Sequence, residues 1–90
     1  MAELPNVKIV SLSLNKIASL RDFAVCGKLT ELYLRKNAVH DLTEVQYLQK
    51  LPSLRVLWLS NNPCADHPYY RQYVIKMLPG LVKLDNADIT

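Results

Sequence analysis

The sequence predicts an α/β fold in which short parallel strands stack into a solenoid, while helices and turns return the chain along the opposite face. Two observations lead to this prediction. One frame of apolar residues recurs along the chain, and an asparagine closes each copy, at Asn15, Asn37 and Asn62. The interval between these asparagines is 22 residues and then 25, which neither helix nor strand periodicity produces. Each copy is therefore one supersecondary unit that buries its apolar side by stacking on its neighbours.

The clearest copy of the frame lies between Leu51 and Cys64. Leu54, Leu57 and Leu59 follow the pattern L-x-x-L-x-L, and Asn62 comes three residues later, which is the signature of a leucine-rich repeat. The other two copies consist of Leu29, Leu32, Leu34 and Asn37, and of Val7, Val10, Leu12 and Asn15. We predict a right-handed leucine-rich repeat solenoid forming one domain, residues 1–90, with repeats at about 4–25, 26–50 and 51–66 and a C-terminal cap at 66–90.

Proline or glycine marks the point where each predicted strand begins. Pro5, Pro52 and Pro79 each follow a leucine and precede one copy of the frame, and Gly27 stands at the remaining junction. Proline ends a helical segment and holds the residue before it in an extended conformation. Glycine makes the same break through its conformational freedom.

Two of the connections predict helices. Apolar residues recur every third position from Leu42 to Leu51, and Asp41 or Thr43 can serve as the N-cap of a short helix on the convex face. The segment from Asp66 to Leu78 offers an N-cap candidate, a proline in its first turn and a periodic apolar face, which predicts a helix of about three turns. A last strand at Leu81 to Asp85 follows, so that this segment seals the C-terminal end of the stack.

Composition is that of one compact domain. The chain has 90 residues, of which 50% are hydrophobic and 21% charged, and a net charge of +3 that is spread along the sequence. This charge does not form the dense basic patch of proteins that bind nucleic acid directly. The sequence has neither an apolar run long enough for a membrane span nor a secretory signal, so we expect an intracellular protein. Cys26 and Cys64 fall at inward positions of the repeat and are interpreted as reduced core residues rather than a disulfide.

The N-terminal end of the predicted stack has no capping unit. A solenoid usually ends in a unit with a polar outer face, and nothing before Leu4 supplies one. We therefore expect an edge strand that exposes Val10 and Leu12. We favour a chain that is a fragment of a longer protein over an edge covered by another molecule.

The three asparagines have a structural interpretation. A side-chain amide held at a tight corner can bond to backbone groups of adjacent turns, which the bend would otherwise leave without partners. We favour this role over a catalytic one for Asn15, Asn37 and Asn62.

The residues between the inward leucines face outward onto the concave sheet. Reading across the units gives rows: Ile9, Glu31, Val56 and Lys83; Ser11, Tyr33, Trp58 and Asp85; Ser13, Arg35 and Ser60; and Lys36 with Asn61. Adjacent exposed aromatic rings beside an arginine are the composition of a protein-binding hot spot. The candidate binding residues are Glu31, Tyr33, Arg35, Val56, Trp58, Ser60, Lys83 and Asp85. The alternative is that the two rings stack on each other and merely shield the sheet.

Other chemistries find little support in the sequence. Cys64-x-x-His67 has a tolerable spacing for metal ligands, but a tetrahedral site usually needs four protein ligands, and we expect Cys64 to be buried in the core. The sequence offers no nucleophile beside a base, no glycine-rich phosphate loop and no paired carboxylates at a plausible cleft. Asp85 and Asp88 are also interpreted as polar ends of the cap. We expect no enzyme activity, cofactor or metal.

The repeats resemble the short, roughly 22-residue class of leucine-rich repeats found in intracellular scaffolds. That class includes a regulatory subunit of protein phosphatase 1 and tubulin-folding cofactors. The pattern Tyr70-Arg71-x-x-Val74-Ile75-x-x-Leu78-Pro79-x-Leu81-x-x-Leu84-Asp85 is similar to the C-terminal cap that these proteins share with the spliceosomal A-prime protein.

A closer resemblance is to a family of cilia- and flagella-associated leucine-rich repeat proteins. It rests on the segments 29–37, 51–64 and 84–90 and covers essentially the whole chain. Tyr33, Arg35, Trp58, the Asn-Pro-Cys turn and the Leu-Asp-Asn ending carry it, because the general repeat demands none of them.

This resemblance implies a non-catalytic adaptor of the basal body, cytoskeleton and cilium or flagellum that acts in cilium assembly. In animal cells it also implies a link to DNA-damage repair through a NIMA-related kinase. The family has a further N-terminal repeat region and a C-terminal helical oligomerisation region that this sequence lacks, so the kinase contact is not assigned to these residues. Two alternatives stay open: a ribonucleoprotein scaffold like the spliceosomal A-prime protein, and a regulatory subunit of a phosphatase.

Overall fold

The computed structural model describes residues 6–89 of the chain. Within this range the chain forms five strands, β1 (Ile9–Ser11), β2 (Glu31–Tyr33), β3 (Val56–Trp58), β4 (Lys83–Leu84) and β5 (Ala87–Asp88), and one α-helix, α1 (Tyr70–Met77). Three 3₁₀ helices lie on the connections, at Arg21–Val25, Leu42–Lys50 and Pro63–Asp66. Leu4 and Pro5, which open the first predicted repeat, lie outside the described residues.

The strands form one sheet in chain order. β1 to β4 pair in parallel, and β5 returns antiparallel to β4. Val10, Leu32, Leu57 and Leu84 are aligned across the four parallel strands, and all four side chains are buried. The predicted leucine-rich repeat solenoid is thereby confirmed, because its parallel strands share one dry interior.

Frame residues fill this interior beyond the strands as well. Leu34 and Leu59, at the third position of the frame, are 0% exposed. The parallel hydrogen bonding continues past the end of each strand, since Leu34 N donates to the Trp58 carbonyl at 2.8 Å. The coils are therefore joined through both side-chain packing and main-chain bonds as far as the corner.

At each corner the residue before the asparagine takes a left-handed conformation. The φ angles of Leu14, Lys36 and Asn61 are 63°, 60° and 60°. Such a conformation is uncommon for residues other than glycine, so surrounding bonds must hold it in place. Recurrence at three equivalent positions shows that the bend belongs to the repeat.

The asparagines that follow supply those bonds. Asn37 Nδ2 donates to the Leu34 carbonyl of its own coil and to the Leu12 carbonyl of the preceding coil, each at 3.0 Å. Its Oδ1 accepts from Ile17 N at 3.1 Å. One buried amide thus satisfies backbone groups on two coils.

Asn62 makes the same set of bonds one coil later. Its Nδ2 donates to the carbonyls of Leu34 and Leu59 at 2.8 and 3.0 Å, and its Oδ1 accepts from Val39 N at 3.1 Å. Asn15 differs, because among the described residues its exposed amide donates only within its own coil, to the carbonyls of Leu12 and Ser13. The expectation that every asparagine bonds to an adjacent turn is therefore wrong for Asn15.

The connection after β2 forms the predicted short helix, and it is of the 3₁₀ type. A 3₁₀ helix has three residues per turn, which explains why its apolar residues recur every third position. Asp41 is its N-cap, and the carboxylate accepts from Thr43 N at 2.9 Å. The 3₁₀ helix Arg21–Val25 on the first connection was not predicted, and it buries Phe23 in the core.

The predicted three-turn helix from Asp66 to Leu78 needs correction. The α-helical part spans only Tyr70–Met77, and Asp66 ends a separate 3₁₀ helix. The reason lies at Pro68, because a residue before proline is kept out of the helical region. His67 is accordingly extended, with φ −66° and ψ 134°.

Both ends of the sheet also differ from expectation. The last parallel strand covers Lys83–Leu84 rather than Leu81 to Asp85, and the chain turns back there into β5. At the other end Val10 is 5% exposed and Leu12 only partly buried, so the edge strand does not expose Val10 as expected. The exposed apolar side chains near this edge are Ile9 and Leu14.

Cys26 and Cys64 are both buried thiols in the core. Burial raises the pKa of Cys64 to about 11, and the negative charges of Asp85, Asp66 and Asp41 add to this shift. Among residues 6–89, no helix is both long enough and apolar enough to span a lipid bilayer.

The corner amides lead to a stability prediction with an internal control. We expect Asn62→Ala to lower the free energy of unfolding by about 1–3 kcal/mol, because it strands buried backbone groups on two coils. Asn15→Ala removes the same side chain from an exposed corner and should cost about 0.5 kcal/mol. Urea denaturation of the two variants measures the difference, and equal losses would contradict the role given to the inter-coil bonds.

The Cys64 thiol leads to a prediction at alkaline pH. Its folded-state pKa of about 11 lies above the ordinary value of 9.0, so the folded state holds the proton more tightly. This stabilisation is complete below pH 9 and is lost as the pH rises from 9 through 11. Between pH 8 and 10.5, wild type should lose on the order of 2 kcal/mol more stability than Cys64→Ala. Urea titrations under reducing conditions test this, and parallel pH profiles would refute it.

Candidate functional site

Seven of the eight candidate binding residues, all except Asp85, lie on or just beyond the strands, on the concave face. Glu31 and Tyr33 belong to β2, Val56 and Trp58 to β3, and Lys83 to β4. The register aligns Ile9, Glu31, Val56 and Lys83 in one row, and Ser11, Tyr33 and Trp58 in the next. Arg35 and Ser60 lie two residues after the rings, where Lys36 N still donates to the Ser60 carbonyl at 3.1 Å.

The two aromatic rings of the second row are in contact. The centroids of Tyr33 and Trp58 lie 6.1 Å apart with the planes tilted by 47°, which is within the range that aromatic pairs prefer. Both side chains are only partly buried. The pair therefore forms a tilted aromatic platform that is open to solvent.

Their polar atoms are bonded within the face. Trp58 Nε1 donates to Ser60 Oγ at 2.6 Å, and the Tyr33 hydroxyl donates to the Glu31 carboxylate. The bond to Glu31 is the main reason that the pKa of the Tyr33 phenol is raised, with partial burial and the negative charge adding to it. Since these bonds hold both rings in one orientation, a partner meets a preformed surface.

Arg35 completes the platform. Its Cζ lies 5.9 Å from the Trp58 ring centroid, which is within cation–π distance. Ser11, Ser13, Tyr33, Arg35 and Trp58 together line a shallow cleft of about 230 Å³. The row pattern aligns Ser11 with the rings and Ser13 with Arg35, but neither serine is among the candidate binding residues.

Asp85 was predicted to lie on this face, but its carboxylate is bonded elsewhere. Its Oδ1 accepts from Leu59 N at 2.7 Å and from Ser60 N at 2.9 Å, and its Oδ2 accepts from the Tyr70 hydroxyl at 2.9 Å. The reason is the short β4, after which the chain turns at Asp85 with φ 56°. In the earlier coils a backbone carbonyl of the next strand accepts this bond. Here the carboxylate of Asp85 is the acceptor instead.

Burial of Tyr70 strengthens this closure. The phenol is 8% exposed, and its pKa is raised chiefly by burial, with the charge and the hydrogen bond of Asp85 adding to the effect. The Asp85 carboxylate thus joins helix α1, the β4–β5 hairpin and the coil that contains β3. Asp85 acts as a structural cap, in agreement with its interpretation as a polar end.

The Cys64-x-x-His67 segment lies outside this face. Among the described residues, no group of three or more His, Cys, Asp or Glu side chains is arranged to hold a metal ion. His67 Nδ1 instead accepts from Tyr69 N at 3.1 Å, and the two rings lie 5.9 Å apart.

Parallel strands framed by leucines, corner asparagines and an open concave face define a leucine-rich repeat module, a class whose curved surfaces bind other molecules. The family model described as Leucine-rich repeat matches residues 1–90. The chain belongs to this family. The family and the relatives below indicate an interaction module.

The sequence is similar to human Cilia- and flagella-associated protein 410, with 47% identity over 90 residues. The match covers 98% of this chain and 35% of the human protein, so the chain spans about a third of that relative's length. The resemblance to a ciliary and flagellar family is thereby confirmed.

Solved structures give the same fold. The leucine-rich repeat domain of Mex67 from Chaetomium thermophilum superimposes with a TM-score of 0.81 at 27% identity, covering 100% of this chain and 64% of that one. The Drosophila melanogaster SNF/U2A′ complex gives a TM-score of 0.64 at 19% identity, covering 98% of this chain and 64% of that one. The second likeness shows the fold alone.

The closure at Asp85 is tested by two substitutions at one position. Asp85→Ala should cost about 2–4 kcal/mol, because it leaves two backbone N–H groups and a buried phenol without their acceptor. Asp85→Asn keeps one oxygen acceptor and should cost less. Amide hydrogen exchange followed by NMR reports the effect locally, at Leu59 and Ser60. Unchanged protection of both amides in Asp85→Ala would show that the carboxylate does not hold them.

Proposed function

We propose that this chain is a non-catalytic protein-binding module of a ciliary or flagellar protein, and that its partner docks on the concave face at Tyr33, Trp58 and Arg35. The observation that carries the proposal is the preformed aromatic cleft. Tyrosine, tryptophan and arginine dominate the hot spots of protein interfaces because they bring large contact areas at a low entropy cost. All three meet in one cleft on this face.

The bonds within the cleft fix the two rings before a partner arrives. Ser60 holds the Trp58 N–H and Glu31 holds the Tyr33 hydroxyl. Side chains fixed before binding lose little freedom when a partner arrives.

Arg35 adds directionality to the contact. It is exposed and lies against the Trp58 ring, so its guanidinium donors stand at the rim of the cleft. There they can pair with a carboxylate or a backbone carbonyl of a partner. Val56 and Lys83 extend the face away from the cleft, and Glu31 borders it through Tyr33.

The ciliary part of the proposal is supported by the name of the human relative, which is cilia- and flagella-associated. We extend it to the basal body and cytoskeleton and to a role in cilium assembly. A contact with a NIMA-related kinase and a link to DNA-damage repair are assigned to the full-length protein rather than to this face. A ribonucleoprotein scaffold is the competing possibility, and the fold likeness to the U2A′ complex alone does not favour it.

The experiment compares the tagged full-length protein with its Tyr33→Ala/Trp58→Ala variant in ciliated cells. We expect the wild type at the basal body and axoneme. We also expect proximity labelling with the double variant to recover at least tenfold less of each partner protein than the wild type does. The reason is that truncating hot-spot residues costs more than about 1.4 kcal/mol of binding free energy. Val25→Ala, an exposed apolar residue on the convex side, is the matched control.

Two results would overturn the proposal. Equal recovery of partners by the double variant would remove the cleft from the interface, provided that circular dichroism shows the variant folded. Localisation of the wild type to nuclear speckles would favour the ribonucleoprotein scaffold instead.

A further inference from the structure

A second concave feature lies away from the proposed binding face. The segment that follows the β2 coil and the segment that follows the β3 coil diverge, and they enclose a groove of about 890 Å³. We call it the connection groove. The residues that line it are His40, Asp41, Leu42, Thr43, Pro63, Cys64, Asp66, His67, Tyr69 and Tyr73. None of these lines the aromatic cleft, so the two features are separate.

The walls of the connection groove are held by hydrogen bonds. Cys64 N donates to the Val39 carbonyl at 2.9 Å, which ties the two segments together at the floor. On one wall Asp41 accepts from both the N–H and the hydroxyl of Thr43, at 2.9 and 2.6 Å. On the other wall the ring nitrogen Nδ1 of His67 accepts from Tyr69 N at 3.1 Å. The groove is therefore preformed.

The lining combines apolar surface with negative charge. Leu42, Cys64 and Tyr73 are buried or partly buried along the floor, and the Tyr69 ring is 64% exposed at the rim. The ionisable groups that face the groove, besides the thiol and the phenols, are two aspartates and two histidines, and the described lining includes no lysine or arginine. A chain with net charge +3 thus has a locally acidic groove.

The Cys64 thiol reports this local charge. Burial is the first reason for its raised pKa, but Asp66 and Asp41 each raise it further through their negative charge. The negative charge of both carboxylates is therefore felt at the floor of the groove, where the Cys64 thiol lies.

Because the groove combines an apolar floor with two aspartates, we infer that the connection groove is a second binding site, which takes a basic peptide segment of a protein partner. An aliphatic or aromatic side chain of the segment packs on the floor at Leu42 and Tyr73, and flanking lysine or arginine side chains lie beside Asp41 and Asp66. The volume is within the range of known ligand sites. The site is independent of the proposed function of the concave face.

The test begins with a random 12-residue peptide library displayed on phage and selected on the 90-residue chain. Enriched peptides should carry lysine or arginine around an apolar residue. Their affinity, measured by fluorescence anisotropy on synthetic peptides, should fall about three- to tenfold in Asp41→Asn/Asp66→Asn, because each exposed charge contributes modestly. It should also fall as salt is raised.

Matched variants separate charge at the groove from other effects. Asn at position 41 still caps the 3₁₀ helix, so the double variant should keep its melting temperature. Asp22→Asn removes an exposed carboxylate elsewhere and should leave the affinity unchanged, as should Trp58→Ala.

Four outcomes would overturn the inference. Enrichment of acidic or uncharged peptides would contradict the stated chemistry, and no enrichment over an unrelated protein would contradict a peptide site. Loss of binding in Trp58→Ala but not in the aspartate variant would move the site to the concave face. A dimer in sedimentation that Asp66→Asn dissociates would assign the groove to a second copy of the chain.

Discussion

The buried amides of Asn37 and Asn62 are the constraint on which the rest of the structure depends. A chain that turns sharply after three residues of strand leaves backbone groups inside the bend, and burying them without partners costs free energy. Each amide supplies donors and an acceptor to its own coil and to the coil before it. The corner can therefore be tight, and the residue before it can adopt the left-handed conformation.

This corner also decides where the surfaces lie. Because the bend recurs in the same register, the strands stay parallel and their outward side chains form rows, including the contact of Tyr33 with Trp58. The segments leaving the corners continue into different helices, Leu42–Lys50 after β2 and Pro63–Asp66 with α1 after β3, and the connection groove lies between them. One local solution thus produces both concave features.

At the C-terminal end of the stack, backbone N–H groups also need acceptors, and a carboxylate rather than an amide supplies them. Within residues 6–89 the strand after β3 has only two residues, and the carboxylate of Asp85 takes the place of a backbone carbonyl as the acceptor for Leu59 N. Tyr70 brings the helix to this carboxylate. Among the described residues, Asn15 at the first corner bonds within its own coil, whereas Asn37 and Asn62 also bond to the preceding coil.

The repeat frame by itself determined the fold class, the inward leucines and the alignment of the outward residues. These features are periodic and local, because each position within a coil faces one direction wherever the coil is repeated. Trp58 and Tyr33 could therefore be aligned from their places in the frame alone.

Only the tertiary structure decided the rest, because it depends on residues far apart in the chain and on where regular pairing stops. The role of Asp85, for example, follows from the turn after a two-residue strand. The connection groove joins residues near 40 with residues near 66. No periodic pattern relates such segments, since their approach is set by how the coils stack and how the last one closes.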